Sequence, residues 1–436
     1  MGTLDWRIRP SPPLSGQCQV PGDKSISHRA LLFLALSQQG GRVTGLLESE
    51  DCLRTLAALR RLGASIDQLG PGDYQLAGWP DQGLVSPDEP LDMGNSGTGM
   101  RLLTGVLAGA GISATLSGDA SLCRRPMGRV VNPLRMMGAA ISADEGKPPL
   151  NIGAHPGLHG IDYVLPVASA QVKSALMLAG LFAEGETRLT EPGPSRDHSE
   201  RMLNGLGAQV DVVSGRLVVQ PGRPRGGDVA VPGDLSSAAF ALAAAAARPG
   251  AQLRVEAVGV NPTRYGILRL LERMGARLQI ENRREIGGEP VADINVEGAV
   301  LKAIRVGAED VVLAVDEIPA LLIAAAQAEG RTEIHGATEL RVKESDRLAA
   351  MAEGLERLGL AVTTREDGLS VVGGRIQPAV VRSWGDHRIA MSLAMLAASA
   401  EAGEGVVIED VANVATSFPE FPAHCRALGM NLEQSG

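Results

Sequence analysis

The chain has 436 residues, 44% hydrophobic and 21% charged, an ordinary globular composition with enough length for two domains, each with its own core. A net charge of −9 and an aromatic share of only 3% exclude a broad basic surface and a base-stacking platform, so no nucleic-acid partner is expected. The four cysteines, Cys18, Cys52, Cys123 and Cys425, have no metal-ligand spacing and read as reduced thiols. Residues 1–16 lack the apolar segment of a signal peptide, and no stretch reaches the ~18 apolar residues of a membrane span. A cytoplasmic protein without a membrane partner is expected.

In chain order, PGDKSISHRALLFLAL (21–36) comes first: a turn, then a helix in which Ser25 is placed to cap and shares a face with Arg29, with Lys24 at the mouth. GNSGTGMRLLTGVLAG (94–109) is a Gly-rich turn entering a helix, and CRRPMGRVVNPL (123–134) supplies Arg124, Arg125 and Arg129. Arg125, just before Pro126, suits bidentate contact with a phosphate or carboxylate. ASAQVKSALMLAGL (168–181) opens an apolar helix with Ser169 and Gln171, neutral anion ligands or an ordinary cap. In RDHSE (196–200) an Arg stands beside His198, which by itself reads as structural.

The second half continues the pattern. VDEIPALLIAAAQAEG (315–330) reads as a nearly all-apolar helix starting at Asp316 and Glu317. LRVKESDRLAAMAEGL (340–355) packs Lys343, Glu344, Asp346 and Arg347 into barely two turns, either an acid–base set or a salt-bridged face. WGDHRIAMSLAML (384–396) places Arg388 at another helix start. Lys and Arg ordinarily favour the last turn of a helix, and each costs up to about 1 kcal/mol in the first. Several such residues at turn–helix junctions make sense if anions are bound there by backbone N–H groups and basic side chains. The expected site is a cleft between domains that takes two anions.

The chain also repeats itself. A helix ending in Leu-Gly or Met-Gly, then a β-like run, occurs at 56–67, 131–142, 201–212, 268–280, 351–364 and, more weakly, 424–433. The glycines at 63, 138, 207, 275, 359 and 429 recur with a period of about 70 residues and suit a left-handed C′ position. Six αβ units suggest two domains of three units each. VPGDKSIS (20–27) and VPGDLSSA (231–238) echo one another about three periods apart, as two chain crossings would. The division expected is 1–20 plus 232–436 for one domain and 21–231 for the other.

With these segments together, the chain resembles the 5-enolpyruvylshikimate-3-phosphate (EPSP) synthase family. PGDKSISHRA, GNSGTGMRLL, RRPM, PVASAQVKSALMLAG, RDHSE, ELRVKESDRL, GDHRIAM and TSFPEF follow in the family's order. The resemblance implies an α/β fold of two domains, each of three βαβαββ-type repeats with buried helices and outer sheets, an inside-out α/β barrel. It implies transfer of the enolpyruvyl group of phosphoenolpyruvate to the 5-hydroxyl of shikimate 3-phosphate, with release of phosphate and without metal or other cofactor. Carried over by motif, Lys24 meets both substrates, and Ser25 and Arg29 take the shikimate carboxylate. Ser169, Ala170 (through its N–H), Gln171 and Arg196 take the shikimate phosphate. Gly97, Arg125 and Gln171 line the phosphate side of phosphoenolpyruvate, and Arg347 and Arg388 its carboxylate. Asp316 and Lys343 handle the hydroxyl proton, and Glu344 protonates the methylene carbon.

The match departs from some members at Ala170, where they have Ser, and at Thr416-Ser417 before Phe418, where they have a Lys. Gly97, which is Ala in glyphosate-tolerant members, implies inhibition by glyphosate. The expected partners are these small molecules alone, with the chain acting as a monomer. The sister enzyme that acts on UDP-N-acetylglucosamine is the nearest rival, and Cys123 stands too close to Arg125 for that group's reactive cysteine. A non-catalytic repeat scaffold would need no Asp316, Lys343 and Glu344 together, and an RNA-end-processing enzyme fits poorly with the acidic balance.

Overall fold

The computed structural model describes residues 4–81 and 83–435. Two compact units divide it: unit 1 comprises Met1–Pro21, Gly233–Arg284 and Pro290–Gly436, and unit 2 comprises Gly22–Pro232 with Glu285–Glu289. The short segment Glu285–Glu289, assigned by sequence to the other domain, therefore goes with unit 2.

Six helices are apolar almost all round once past their first turn: Lys24–Leu36, Gly97–Ala110 and Ala170–Gly180 in unit 2, and Leu235–Ala246, Ile318–Ala325 and His387–Ala397 in unit 1. A helix without a polar face must be covered on every side. Accordingly, Ile26 to Leu36 are all buried, as is the whole of Leu235–Ala246. A second set of helices is amphipathic. Glu50–Arg61, for example, buries Cys52, Leu56 and Leu59 while its arginines remain at the surface.

The strands form six four-stranded sheets among the described residues. In one, Leu91–Asp92 and Ala114–Ser117 pair in parallel (Leu91 opposite Leu116) across the buried helix Gly97–Ala110. Lys147–Gly153 then pairs antiparallel with Ala114–Ser117 and with Ala140–Asp144. Alternation along Lys147–Gly153 puts Pro148, Leu150 and Ile152 inward and Lys147, Pro149 and Asn151 outward, as expected for a sheet with one wet face.

The same βαβαββ order recurs in every sheet, with two first strands exchanged. Val229–Ala230, just before the second Val-Pro-Gly-Asp, pairs in parallel with Gly41–Thr44 in unit 2. Ser15–Gln19, just before the first, pairs in parallel with Gln252–Gly259 in unit 1. Each copy of the turn is therefore the point where the chain passes from one unit to the other. The N-terminal strand Asp5–Arg9 completes the last sheet, between Val406–Glu409 and Asn431–Ser435.

All six repeat glycines have the left-handed backbone their position demands, with φ of 91° at Gly63, 107° at Gly138, 83° at Gly207, 94° at Gly275 and 90° at Gly359 and Gly429. At the first, Gly63 N–H donates to the Arg60 carbonyl and Ala64 N–H to the Leu59 carbonyl, both at 3.0 Å. That is a Schellman motif, and the same pair of bonds closes the other five helices.

Close helix packing sets one further requirement. Gly97–Ala110 lies against Ala170–Gly180, and a Cβ on Gly105 would collide with the Ala175 carbonyl. Helix propensity alone favours Gly→Ala by about 1 kcal/mol. Overpacking against rigid backbone costs about 1–3 kcal/mol. Gly105→Ala is therefore expected to destabilise unit 2 despite its better propensity, which a lowered urea midpoint would register.

Candidate active site

The helices that carry the candidate residues share an electrostatic signature. Lys24–Leu36, Gly97–Ala110, Ala170–Gly180, Arg347–Arg357 and His387–Ala397 have no acidic residue in the first turn. The amphipathic helices Glu50–Arg61, with Glu50 and Asp51, and His198–Gly205, with Glu200, do carry acidic residues there. No acidic side chain inside these first turns competes for an anion, although Asp23, Asp346 and Asp386 each cap one backbone N–H just before them.

In unit 2, Asp23 caps the first helix, accepting from Ile26 N–H at 2.9 Å. Ser25, expected as the cap, is instead the second helical residue, because the Asp23 carboxylate one turn back already reaches the free N–H. Arg29 does turn toward Ser25, but it donates to the backbone carbonyl (Nη1, 3.0 Å). Its Nε donates to Ser199 Oγ at 2.7 Å and its Nη2 to Ser174 Oγ at 2.8 Å. Burial lowers the Arg29 pKa to about 10, against the opposing charges of Glu200, Asp23 and Glu289, so it stays a cation at neutral pH. Lys24 pairs with Asp51 at 2.5 Å.

The next two buried helices meet through side chains. Ser96 caps Gly97–Ala110 and Ser169 caps Ala170–Gly180. Gln171 accepts from Arg101 Nη1 at 2.7 Å and donates to Thr98 Oγ1 at 2.8 Å. Arg125 donates to Asn95 Oδ1 at 2.5 Å in the turn before Gly97. A Cβ on Gly97 would stand 3.0 Å from Arg125 Nη1 and 3.1 Å from Arg101 Nη1, so glycine leaves room for both guanidiniums. Gly97, Arg125, Ala170 and Gln171 are thus gathered around two helix N-termini. Arg196 stands half-buried just before the helix His198–Gly205.

In unit 1 a fully buried arginine organises the site. Arg347 Nε donates to Asp386 Oδ2 at 2.8 Å, Nη2 to Glu344 Oε2 at 2.5 Å, and Nη1 to Asp316 Oδ1 at 3.5 Å. Burial by itself would lower its pKa, but Asp386, Glu344 and Asp316 outweigh that and raise it above an ordinary arginine. Lys343 Nζ lies 3.8 Å from Asp316 Oδ1, and Arg388 Nη1 donates to the Asp316 carbonyl at 2.7 Å. Asp316, Lys343, Glu344, Arg347 and Arg388 are therefore one cluster.

Two local expectations need correcting. Lys343 and Glu344 are not in a helix: Asp346 caps Arg347–Arg357 by accepting from Ala349 N–H, which starts the helix beyond them. Asp316 belongs to the 3-10 turn Val315–Glu317, and the apolar helix begins at Ile318, with Pro319 in its first turn. Both changes free the acid–base side chains from the i, i+4 geometry of a helix.

Asp386 escaped the sequence reading. It is fully buried, caps Arg388 N–H at 2.9 Å, holds Arg347 and accepts from Ser345 Oγ at 3.1 Å. Its position two residues before Arg388, at a helix start, was the available signal. Arg101, Asp51, Ser174 and Ser199 were also missed, because their partners come from other segments.

The sequence profile of the EPSP synthase (3-phosphoshikimate 1-carboxyvinyltransferase) family matches residues 8–424. The chain belongs to the EPSP synthase family. A 3-phosphoshikimate 1-carboxyvinyltransferase of Acidithiobacillus ferrooxidans is 54% identical over 429 residues, 98% of each chain. One from Alkalilimnicola ehrlichii is 52% identical over 424 residues, 96% of this chain and 94% of that one. The solved EPSP synthase of Acinetobacter baumannii superposes with a TM-score of 0.89 at 45% identity, covering all of both chains. EPSP synthases are enolpyruvyl transferases of the shikimate pathway, with a two-domain inside-out α/β barrel, and this chain is an enzyme of that family with that fold. No helix among the described residues is long and apolar enough to cross a membrane.

One buried group makes the site acid-sensitive. His28 bonds Thr55 Oγ1 at 2.9 Å, and burial, then Lys24 and Arg29, lowers its pKa to about 3. Its folded pKa lies below its unfolded value near 6.5, so its stabilisation is complete above about pH 6.5 and is lost as pH falls toward 3. The loss approaches about 1.4 kcal/mol per pH unit in that window. His28→Asn is expected to flatten the fall in urea midpoint between pH 7.5 and 5, relative to the unsubstituted chain.

Proposed function

We propose that the two clusters carry out the family's reaction on this chain, the transfer of the enolpyruvyl group of phosphoenolpyruvate to the 5-hydroxyl of shikimate 3-phosphate. The observation that carries this reading is the set around Arg347. Three carboxylates and Lys343 surround a buried cation, with Arg388 beside them. Such a set can hold a substrate carboxylate and move two protons.

In this reading Arg347 and Arg388 hold the phosphoenolpyruvate carboxylate, while Gly97, Arg125 and Gln171 receive its phosphate. Lys24 meets both substrates. Ser25 and Arg29 take the shikimate carboxylate, and Ser169, the Ala170 N–H, Gln171 and Arg196 its phosphate. Glu344 delivers a proton to the methylene carbon as the shikimate 5-oxygen bonds to the adjacent carbon, and Asp316 with Lys343 takes the hydroxyl proton. A proton then leaves the new methyl group, the double bond re-forms and inorganic phosphate departs. Positioned acid–base groups of this kind each contribute roughly 10²–10⁴-fold.

Phosphate release is the direct assay. The purified chain with phosphoenolpyruvate is expected to release phosphate when shikimate 3-phosphate is added and not when UDP-N-acetylglucosamine is. Release with the sugar nucleotide alone would move the assignment to the sister reaction. Glu344→Gln is expected to keep substrate binding and lose roughly 10²–10⁴-fold in kcat. Full activity in that variant would remove Glu344 from the acid's role.

The crowding that a Cβ at Gly97 would bring against Arg101 and Arg125 also supports inhibition by glyphosate at the phosphoenolpyruvate position, since glycine leaves both guanidiniums in place. Glyphosate is expected to raise the apparent KM for phosphoenolpyruvate and leave kcat unchanged. Undiminished turnover at high glyphosate and low phosphoenolpyruvate would refute this.

A further inference from the structure

The chain enters unit 2 a second time, for the five residues Glu285–Glu289. These lie at the tip of the hairpin made by the long strands Arg277–Ile286 and Glu289–Glu297, where Gly287 (φ 59°) and Gly288 (φ 82°) form the two-residue turn. A hairpin tip ordinarily points into water and carries polar residues with no fixed partner. This one does the opposite. Glu289 is 2% exposed, and its Oε1 lies 2.7 Å from His198 Nδ1, itself 1% exposed. Arg201 Nη1 also donates to the Gly288 carbonyl, at 3.5 Å.

Burying a carboxylate is costly unless it is paired and hydrogen-bonded, so the position of Glu289 calls for a reason beyond closing a turn. The next links lead to the site. His198 opens the helix His198–Gly205, and its neighbour Ser199 accepts from Arg29 Nε at 2.7 Å and lies 2.6 Å from Ser174 Oγ. Arg29, in turn, is fully buried and held by Ser199, Ser174 and the Ser25 carbonyl. The start of the helix that carries Ser199 is thus pinned by Glu289.

We propose that Glu289 is a positioning residue for the shikimate 3-phosphate site, acting through His198 and Ser199 to fix the guanidinium of Arg29. The inference rests on the functional reading above, in which Arg29 takes the shikimate carboxylate. It makes the tip of a hairpin, distant in sequence from every recognised motif, a determinant of affinity for one substrate only.

The test separates the two KM values. Glu289→Ala is expected to raise KM for shikimate 3-phosphate by roughly 10-fold, the effect of losing one well-placed charged hydrogen bond, with kcat and KM for phosphoenolpyruvate within about 2-fold. Glu289→Gln still accepts the His198 hydrogen bond and is expected to recover most of the affinity. A folded Glu289→Ala with unchanged KM for shikimate 3-phosphate, or with both KM values and kcat shifted together, would overturn the positioning role. If Glu289→Ala does not fold, His198→Phe, which keeps the ring but has no nitrogen to bond Glu289, replaces it under the same criteria. Failure of the unsubstituted chain to release phosphate with shikimate 3-phosphate would instead overturn the functional reading on which the inference stands.

Discussion

A helix apolar on every side can meet water or a ligand only at its ends. That constraint governs this structure. The two units wrap sheets around such helices, so their faces are spent on the core and only their termini are left for chemistry. At the N-termini the peptide N–H groups and macrodipoles gather positive character, which suits phosphates and carboxylates and needs no metal to explain it. The first turns lack Asp and Glu, and the caps are Asp or Ser side chains directed at the first backbone donors. The basic residues there look misplaced only if the anion is ignored.

Electrostatics in the two units differ in kind. In unit 2 the buried cation Arg29 is held mainly by neutral oxygens, from Ser199, Ser174 and a carbonyl, so burial lowers its pKa. Its charge is left available to a carboxylate. In unit 1 the buried cation Arg347 is held by three carboxylates, so its pKa rises and its charge is already engaged. Arg347 therefore arranges acid–base groups as much as it offers a charge, while Arg388 sits beside it on the Asp316 carbonyl. One buried side chain, Asp386, holds the Arg347 guanidinium and caps the helix at the Arg388 backbone N–H.

Much of this is legible in the sequence. Gly63 and its five counterparts were readable because a residue just past a helix end that needs positive φ is nearly always glycine, and that demand is local. The twin Val-Pro-Gly-Asp turns were readable because Pro and Gly mark a turn locally. Local geometry misled at Ser25, where Asp23 was the better-placed acceptor, and at Lys343 and Glu344, where the cap at Asp346 removed them from the helix. In each case an Asp carboxylate reached the free backbone donor and set where the helix begins, which spacing alone does not decide.

The repeat, the α/β class, the family and the residue types that gather at helix starts are all legible in the chain's own order of residues. All of these depend on interactions within a few residues or on motifs that keep their order along the chain. Contacts distant in sequence emerge only on folding: which first strands are exchanged between units, that Asp386 binds both the Arg347 guanidinium and the Arg388 backbone N–H, and that Glu289 reaches His198 across 91 residues. Those contacts bring together side chains whose spacing carries no periodicity. Their partners are chosen by how the sheets close around the helices, and that choice is made by packing over the whole unit.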